Sequence, residues 1–165
     1  MKTLLLVRHA KSSWDNIGQD DRERPLNERG KKDAPEMGKR LKDKKLEIDL
    51  FVSSPAKRAF RTARAFAEAY DVKKENIEIV EDLYHASSAN FYKVLSSLPS
   101  KNDAVALFSH NPGITEFVNT LTSVQVDNMP TGAVFAVSAD VTEWNLFKGA
   151  EKKFLFFDYP KNPIA

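Results

Sequence analysis

Each of the three histidines in the chain follows a segment whose residues predict a β-strand. His9 comes directly after the first apolar run, His85 lies shortly after the third predicted strand, and His110 follows the fourth directly. Arginines accompany them, because Arg8 precedes His9 and Arg58 lies in the first turns of the helix after the second predicted strand. A lone histidine at a strand end is usually a hydrogen-bonded structural residue, whereas this joint placement with arginines indicates a site of chemistry.

These residue types suit reactions at a phosphoryl group. The planar, permanently charged guanidinium groups of Arg8 and Arg58 match the geometry of phosphoryl oxygens. A neutral imidazole can attack phosphorus when an acceptor holds its other ring nitrogen, and a second histidine can donate a hydrogen bond to the equatorial oxygens. The helix predicted to begin at Pro55 would add oriented N–H groups at its N-terminus. The sequence therefore predicts a phosphoryl-transfer site.

A metal site is the competing explanation for a pair of histidines. The adjacent arginines weaken it, because they would repel a divalent cation and can themselves supply the positive charge that a metal would bring. The chain contains no cysteine, which excludes disulfides, thiolate zinc sites and cysteine-based phosphatase chemistry. We therefore expect no metal and no other cofactor.

The composition bounds the fold and the partners. The 165 residues, of which 42% are hydrophobic and 29% charged, predict one globular domain over residues 1–165. A formal net charge of +2 gives no indication of a nucleic-acid or membrane partner. The apolar run near the N-terminus is too short for a signal peptide, and no run approaches the ~20 apolar residues of a membrane span. We expect a cytoplasmic protein with neither kind of partner.

Short apolar runs alternate with segments of helical periodicity along most of the chain. The predicted strands cover residues 3–7, 49–53, 77–80, 104–108, 133–137 and 153–159, and the predicted helices cover 28–44, 55–70, 90–98 and 112–121. Strands that alternate with helices form βαβ units and a largely parallel sheet, so the expected class is α/β. The last two strands should add to one edge, where they can run antiparallel. In such sheets ligands bind at the carboxyl ends of the strands, where the histidines are predicted to lie.

Several short motifs resemble those of the histidine phosphatase superfamily. They are Arg8-His9-Ala10 after a strand, Ser54-Pro55-x-x-Arg58-Ala59-x-x-Thr62-Ala63, and Ser109-His110-Asn111-Pro112-Gly113. Arg24-Pro25-Leu26 and Leu83-Tyr84 look like the SixA-type branch of that family, the phosphohistidine phosphatases. The resemblance extends over residues 1–121, and the order of the motifs at successive strand ends makes it specific.

The resemblance implies a fold and a set of roles. The fold would be a three-layer α/β/α sandwich around a mixed, mostly parallel sheet, as in phosphoglycerate mutases. His9 matches the position that becomes phosphorylated. Arg8, Arg58 and His110 match the other members of the phosphate pocket, with His110 also counted among the catalytic residues.

The chain departs from the superfamily pattern after the third strand. Many members carry Leu-x-Glu there, and the glutamate protonates the leaving alcohol, whereas this chain has Leu83-Tyr84-His85. An imidazole is a much less basic leaving group than an alkoxide, so a P–N bond to histidine can break with a weaker acid or with none from the enzyme. The departure therefore favours a phosphohistidine substrate. The alternative is that His85 is a loop residue facing solvent and that a different acid serves.

The favoured function is a metal-independent phosphatase that forms a phosphohistidine enzyme intermediate and removes phosphate from histidine on a protein. A phosphomonoesterase acting on a small metabolite is the first alternative, and a non-catalytic module that binds a phosphorylated ligand is the second. Arg24 could reach the pocket from its loop or pair with Asp20 or Asp21, and Arg61 could line the pocket mouth or face solvent. The sequence does not predict the oligomeric state.

Overall fold

The computed structural model describes residues 1–16 and 18–162. The strands are β1 (Lys2–Arg8), β2 (Leu50–Ser53), β3 (Glu78–Ile79), β4 (Ala104–Ser109), β5 (Val134–Ala139) and β6 (Lys152–Asp158). The helices are α1 (Glu28–Asp43), α2 (Lys57–Ala69), α3 (Ser88–Ser96) and α4 (Gly113–Val118). Short 3₁₀ turns occur at Asp21–Glu23, Lys74–Asn76, Glu81–Leu83 and Trp144–Leu146.

The strands form one mixed sheet in the order β3-β2-β4-β1-β5-β6. The first four strands of that order pair in parallel, and β5 and β6 continue the sheet in antiparallel pairs from β1. The predicted α/β class and the antiparallel edge are therefore confirmed.

Helices cover both faces of this sheet. Leu4 and Leu6 of β1 contribute to a core that includes Phe91 of α3 and Phe117 of α4. The alternate residues of β1 face a second core against α1 and α2. Because β1 is buried on both faces, it is apolar throughout rather than alternating. This arrangement is the predicted three-layer α/β/α sandwich.

The second helix begins later than its sequence suggests. Pro55 was expected in its first turn, but α2 begins at Lys57 and Ala56 is the N-cap residue, in an extended conformation. The Ala56 N–H donates to the Ser54 hydroxyl at 3.2 Å, so the residues between β2 and α2 form a turn. The extra turn leaves Ser54 at the edge of the sheet.

The register of the sheet brings the predicted site residues to one edge. Arg8 of β1 pairs with Ser109 of β4, and Ser53 of β2 pairs with Phe108, so the carboxyl ends of these three strands coincide. Gly132, with a φ of 77°, donates its N–H to the carbonyls of Arg8 and His9 at 3.1 and 3.0 Å. The turn before β5 thus holds the end of β1 in place. Within the described ranges, no helix is both long and apolar enough to cross a membrane.

Candidate active site

His9 is held just past the end of β1 with one ring nitrogen engaged. Its backbone N–H donates to the Ser109 carbonyl at 3.1 Å, and its side chain is 6% exposed. The ring Nδ1 lies 2.7 Å from the Ala10 carbonyl oxygen. Because a carbonyl oxygen can only accept, Nδ1 carries the hydrogen, and Nε2 of the neutral ring has a free lone pair.

Electrostatics keep this ring neutral. Burial lowers the pKa of His9 to about 3, against the opposing effect of the hydrogen bond to Ala10, and the charges of Arg58, Arg8 and Arg24 lower it further. Arg8 precedes His9 in the chain, and α2, which carries Arg58, is joined to the residue after His9 by a hydrogen bond from the Ala10 N–H to the Thr62 hydroxyl at 2.9 Å. At neutral pH the imidazole is therefore an uncharged base among cations, with Nε2 able to act as a nucleophile.

His110 lies beside His9, directly after β4. The two ring centroids are 5.1 Å apart, and the Nε2 atom of His110 is 2.7 Å from the Ser54 hydroxyl oxygen. Burial, followed by the charges of His9 and Arg58, lowers the pKa of His110 to about 2. Its Nδ1 atom is buried and has no hydrogen-bond partner in the described protein.

The two arginines predicted for the pocket are both present at this edge. Arg58, in the first turn of α2, is 5% exposed and donates to the Asp21 carbonyl at 2.6 Å and to the Asp21 carboxylate at 3.0 Å. Arg8 donates to the Met129 carbonyl at 2.7 Å, and burial lowers the pKa of its guanidinium.

Unsatisfied buried donors concentrate at this site. In the described part of the chain, five buried side-chain nitrogen atoms have no hydrogen-bond partner: Arg8 Nε, Arg24 Nη1, Arg40 Nε, Arg58 Nε and His110 Nδ1. Four of the five belong to the group around His9. The fifth, Arg40 Nε, lies 3.6 Å from a Glu36 carboxylate oxygen, away from this group. Burying a donor without an acceptor is costly, so such a concentration is expected where an anion is to be bound.

Arg24 reaches this group and also forms an ion pair, so the two alternatives drawn from the sequence are combined. It is 7% exposed, and its Nε donates to the Asp21 carboxylate at 3.2 Å. Its guanidinium lies 3.4 Å from the ring centroid of Trp14. Trp14 itself is 71% exposed, at the outer side of the site.

Asp21, which the sequence suggested only as a possible ion-pair partner of Arg24, is itself a residue of the site. Its carboxylate accepts hydrogen bonds from Arg58, Arg24 and the Tyr84 hydroxyl, the last at 2.5 Å. Burial alone would raise the pKa of Asp21, but the hydrogen bonds from Tyr84 and Arg58 and the charges of both arginines bring it to about 2. The only signal in the sequence is its position three residues before Arg24, in a polar loop without periodicity.

The remaining candidates lie at the rim or away from it. His85 is exposed, has a φ of 56°, and packs on Tyr84 with 4.0 Å between ring centroids. The Tyr84 ring centroid lies 5.6 Å from that of His110, so His85 is near the site. Arg61 is exposed and lines a different cavity, together with Lys57 and Arg64. Residues 1–16 and 18–162 contain no group of three or more histidine or acidic side chains placed to hold a metal ion.

A glycine sets the position of the rim. A Cβ atom on Gly113, at the start of α4, would lie 1.9 Å from the Ala86 carbonyl oxygen. Only glycine permits this approach, which brings the segment after the Glu81–Leu83 turn against the end of β4. Tyr84 is thereby placed beside His110, and His85 packs on Tyr84.

Comparisons with known proteins point to one family. A family model described as the histidine phosphatase superfamily (branch 1) matches residues 4–86. The chain is 39% identical over 84 residues to phosphoserine phosphatase 1 of Hydrogenobacter thermophilus, which is 50% of this chain and 36% of that protein. It is 36% identical over 103 residues to a 2,3-bisphosphoglycerate-dependent phosphoglycerate mutase of Parvibaculum lavamentivorans, 61% of this chain and 47% of the relative. The chain thus spans less than half the length of either relative.

Solved structures match nearly the whole chain. A structure described as the putative phosphohistidine phosphatase SixA of Agrobacterium tumefaciens superposes with a TM-score of 0.80 at 23% identity, covering 96% of this chain and 98% of that one. A structure of the protein histidine phosphatase SixA complexed with tungstate gives 0.79 at 23%, covering 96% and 97%. These likenesses establish a shared fold. The match to the family model over residues 4–86, half of the chain, shows that the chain belongs to the histidine phosphatase superfamily.

Proposed function

We propose that this chain is a phosphatase in which His9 takes up the phosphoryl group of a substrate and then loses it to water. The observation that carries the proposal is the group of four buried, unpartnered donors around a neutral histidine whose Nε2 lone pair is free. A phosphoryl group would accept hydrogen bonds from Arg8, Arg58 and His110. Arg24 adds a further donor at the same place.

The reaction would proceed in two displacements. In the first, the His9 Nε2 lone pair forms a P–N bond while the bond from phosphorus to the leaving group breaks, and that group departs with the electron pair. In the second, water forms a P–O bond as the P–N bond breaks, which gives inorganic phosphate and returns His9 to its neutral form. Charge that develops on the equatorial oxygens would be stabilised by donors already in place, which is an efficient source of rate acceleration.

We infer that the leaving group is a histidine imidazole on a protein. The carboxylate of the Leu-x-Glu pattern is absent, and His85 stands at its position. The nearby carboxylate of Asp21 is ionised at neutral pH, since its pKa is about 2, and so it has no proton to give. A phosphohistidine ring protonated on its other nitrogen departs as neutral imidazole and keeps that proton, so it requires the least help from an acid of the enzyme. The SixA-like fold over nearly the whole chain supports the same substrate class.

A small phosphoester is the second candidate. The sequence similarity to a protein named phosphoserine phosphatase 1 favours it. Specificity constants measured side by side, for a histidine-phosphorylated protein domain and for phosphoserine, separate the two substrates. The phosphohistidine assignment predicts a much larger kcat/KM for the protein substrate, and an excess for phosphoserine would overturn it.

The nucleophile is tested by comparing wild-type protein with His9→Ala. Both are mixed briefly with radiolabelled substrate, quenched in base and separated by size from the substrate protein. Wild-type protein should carry an acid-labile, base-stable label and the variant none, with turnover lost for both substrates. Retained turnover in His9→Ala would remove the nucleophile assignment. Binding of the phosphorylated protein without turnover by the wild type would instead identify a non-catalytic binding module.

A further inference from the structure

We propose that Asp21 is a positioning residue that fixes Arg24 and Arg58 so that their free N–H groups face the phosphoryl group. This inference rests on the proposed function, and it assigns a role to a carboxylate that neither the motifs nor the two-step mechanism includes. Asp21 is not a catalytic residue in this account, because it acts through the two arginines.

The contacts tie one carboxylate to both arginines at once. One oxygen of Asp21 accepts from Arg24 Nε at 3.2 Å, and the other accepts from Arg58 Nη2 at 3.0 Å. The backbone carbonyl of Asp21 accepts from Arg58 Nη1 at 2.6 Å. The Tyr84 hydroxyl donates to the same carboxylate oxygen as Arg58, so a third group restrains it.

The pattern of used and unused donors distinguishes positioning from competition. If Asp21 occupied the place of a phosphate, it would take up the donors that a phosphate needs. Instead, Arg58 Nε and Arg24 Nη1 stay buried and unpartnered while Asp21 uses other atoms of the same side chains. Asp21 engages both terminal nitrogens of Arg58, but Arg58 Nε and Arg24 Nη1 remain available to an oxyanion.

Charge gives a second reason for a carboxylate at this position. Burial, and after it the charge of Arg58, lower the pKa of Arg24, and the two guanidinium groups both contact the carboxylate of Asp21. An anion between them offsets the repulsion of the two positive charges before substrate arrives, and the arginines need not be ordered during binding. Without these contacts, the long side chains of Arg24 and Arg58 would lose conformational freedom on binding the anion, and this loss would weaken binding.

The turn that carries Asp21 is fastened on both sides. Asp20 caps it, accepting a hydrogen bond from the Arg22 backbone N–H at 3.3 Å. Arg22 forms an ion pair with Glu81, and its guanidinium lies 4.5 Å from the Tyr84 ring centroid. The Asp21–Glu23 turn is therefore fixed against the segment before α3, and this fixes the position of Asp21. Such support is expected for a side chain whose exact position matters.

The test uses two variants of Asp21 with opposite charge behaviour. Asp21→Asn removes the negative charge beside the anion site, and Asp21→Glu keeps the charge but moves it by one methylene. Glu23→Gln is the matched control, because Glu23 is exposed on the same turn and loses the same charge. Tyr84→Phe removes one of the three donors to Asp21. Tungstate binding by calorimetry, kcat, KM and the melting temperature are measured for each.

Positioning predicts weaker binding in both Asp21 variants. The dissociation constant for tungstate should rise about 10- to 100-fold, KM should rise with it, and kcat should fall less, while the melting temperature stays close to that of wild type. Tyr84→Phe should show a smaller change in the same direction, and Glu23→Gln should behave as wild type.

The alternatives give different results. Simple electrostatics predicts tighter tungstate binding for Asp21→Asn and unchanged binding for Asp21→Glu, and either outcome would overturn the positioning role while leaving the phosphatase proposal intact. A wild-type protein that neither binds tungstate nor turns over a phosphorylated substrate would overturn the proposed function, and the role of Asp21 with it.

Discussion

Each end of β1 carries a cation, and the two cations differ in burial and in hydrogen bonding, because Lys2 is buried whereas Arg8 is only partly buried. At the N-terminal end, Lys2 is 1% exposed and donates to Asp103 at 2.7 Å and to the Ser100 carbonyl, with its ammonium 5.7 Å from the ring centroid of Trp144. At the C-terminal end, Arg8 donates to one carbonyl and keeps a buried Nε without a partner. The strand is the same, so the difference lies in what surrounds each charge.

This difference separates a structural charge from a functional one. A buried cation whose donors are satisfied contributes to stability, whereas a buried donor without an acceptor lowers it. The C-terminal end contains three more unpartnered nitrogens, on Arg24, Arg58 and His110. Their combined cost is understandable if an anion completes the hydrogen bonding, and a phosphoryl group is the anion that we propose. The following experiments test whether the Lys2 end of β1 contributes to stability and the Arg8 end to activity.

The largest effect should come from exchanging each cation for a neutral residue of similar length. Arg8→Met should lower kcat/KM by about 100- to 1,000-fold, as the loss of a donor to a developing charge does elsewhere. The free energy of unfolding should change by less than ~1 kcal/mol, since the Met129 carbonyl keeps a hydrogen bond from Asn111 at 3.3 Å. Steady-state kinetics and urea unfolding measure the two quantities.

Lys2→Met is the counterpart at the other end. It should lower the free energy of unfolding by about 1–3 kcal/mol, because the Ser100 carbonyl and Asp103 lose their donor, and it should leave kcat/KM per folded molecule unchanged. A variant pair in which Lys2→Met lost activity, or Arg8→Met lost mainly stability, would contradict the division.

As pH falls, the stability that depends on neutral His9 should be lost at a higher pH than the stability that depends on the Lys2–Asp103 pair. The pKa of His9 falls from 6.5 to about 3 in the folded chain. Between these values the unfolded chain binds a proton that the folded chain does not, so stability decreases as pH falls. From pH 6 to pH 4 the loss for this one residue is about 2.5 kcal/mol. Urea unfolding at pH 6, 5 and 4 measures it.

Two variants assign the effect to a residue. His9→Gln should reduce the loss of stability between pH 6 and 4, whereas Lys2→Met should leave it as in wild type. The hydrogen bond from Lys2, and then its charge, lower the pKa of Asp103, so this pair contributes stability above pH 3.8 and loses it below. An unchanged slope between pH 6 and 4 in His9→Gln would show that His9 is not buried in its neutral form.

A smaller effect on kcat/KM is expected at His110, where only one of the two ring nitrogens has a hydrogen-bond partner. Ser54 is fully buried, and its hydroxyl contacts Nε2 of His110, the ring whose Nδ1 is unpartnered. A hydroxyl that donates to Nε2 leaves the proton of the neutral ring on Nδ1, where it can serve the phosphoryl group. Ser54→Ala should therefore lower kcat/KM about 10-fold, which corresponds to one ordinary hydrogen bond.

The neighbouring serine provides the control for this variant. Ser53 is equally buried, and its hydroxyl donates to the Ser54 carbonyl at 2.9 Å. Ser53→Ala should thus lower stability with little change in kcat/KM. If the two alanine variants had equal kinetics, the contact with His110 would have no role in catalysis.

The sequence predicted the sheet and the strand-end residues because both depend on local patterns. The apolar runs of β1 and β4 determine buried strands, and the residue after such a strand must lie at the carboxyl edge. Arg8, His9 and His110 could therefore be placed without a structure. Their roles as nucleophile and phosphate ligands are still predictions.

Asp21 and Ser54 could not be found in the same way. Asp21 lies in a loop whose path is set by contacts with Tyr84 and Arg58, which are 63 and 37 residues away in sequence. Ser54 belonged to a quoted motif, but its hydroxyl acquires a partner only when β2 and β4 lie side by side. Such long-range contacts leave no periodic signal. The predicted start of α2 was wrong for a local reason, because proline is compatible with the turn before a helix as well as with the first turn of the helix.

The smallest effect should come from the outer surface of the site. Trp14 is 71% exposed and stacks on the guanidinium of Arg24, a contact that contributes about 0.5–1 kcal/mol at exposed positions. Trp14→Ala should raise KM about 2- to 5-fold with little change in kcat, because Arg24 becomes less ordered but keeps its bond to Asp21. Leu146→Ala is the control, since Leu146 is 52% exposed on the turn beside Lys2. Equal KM values for the two variants would show that Arg24 is positioned by Asp21 alone. The exposed Trp14 would then have no part in binding, and only buried residues would form the site at this end of β1.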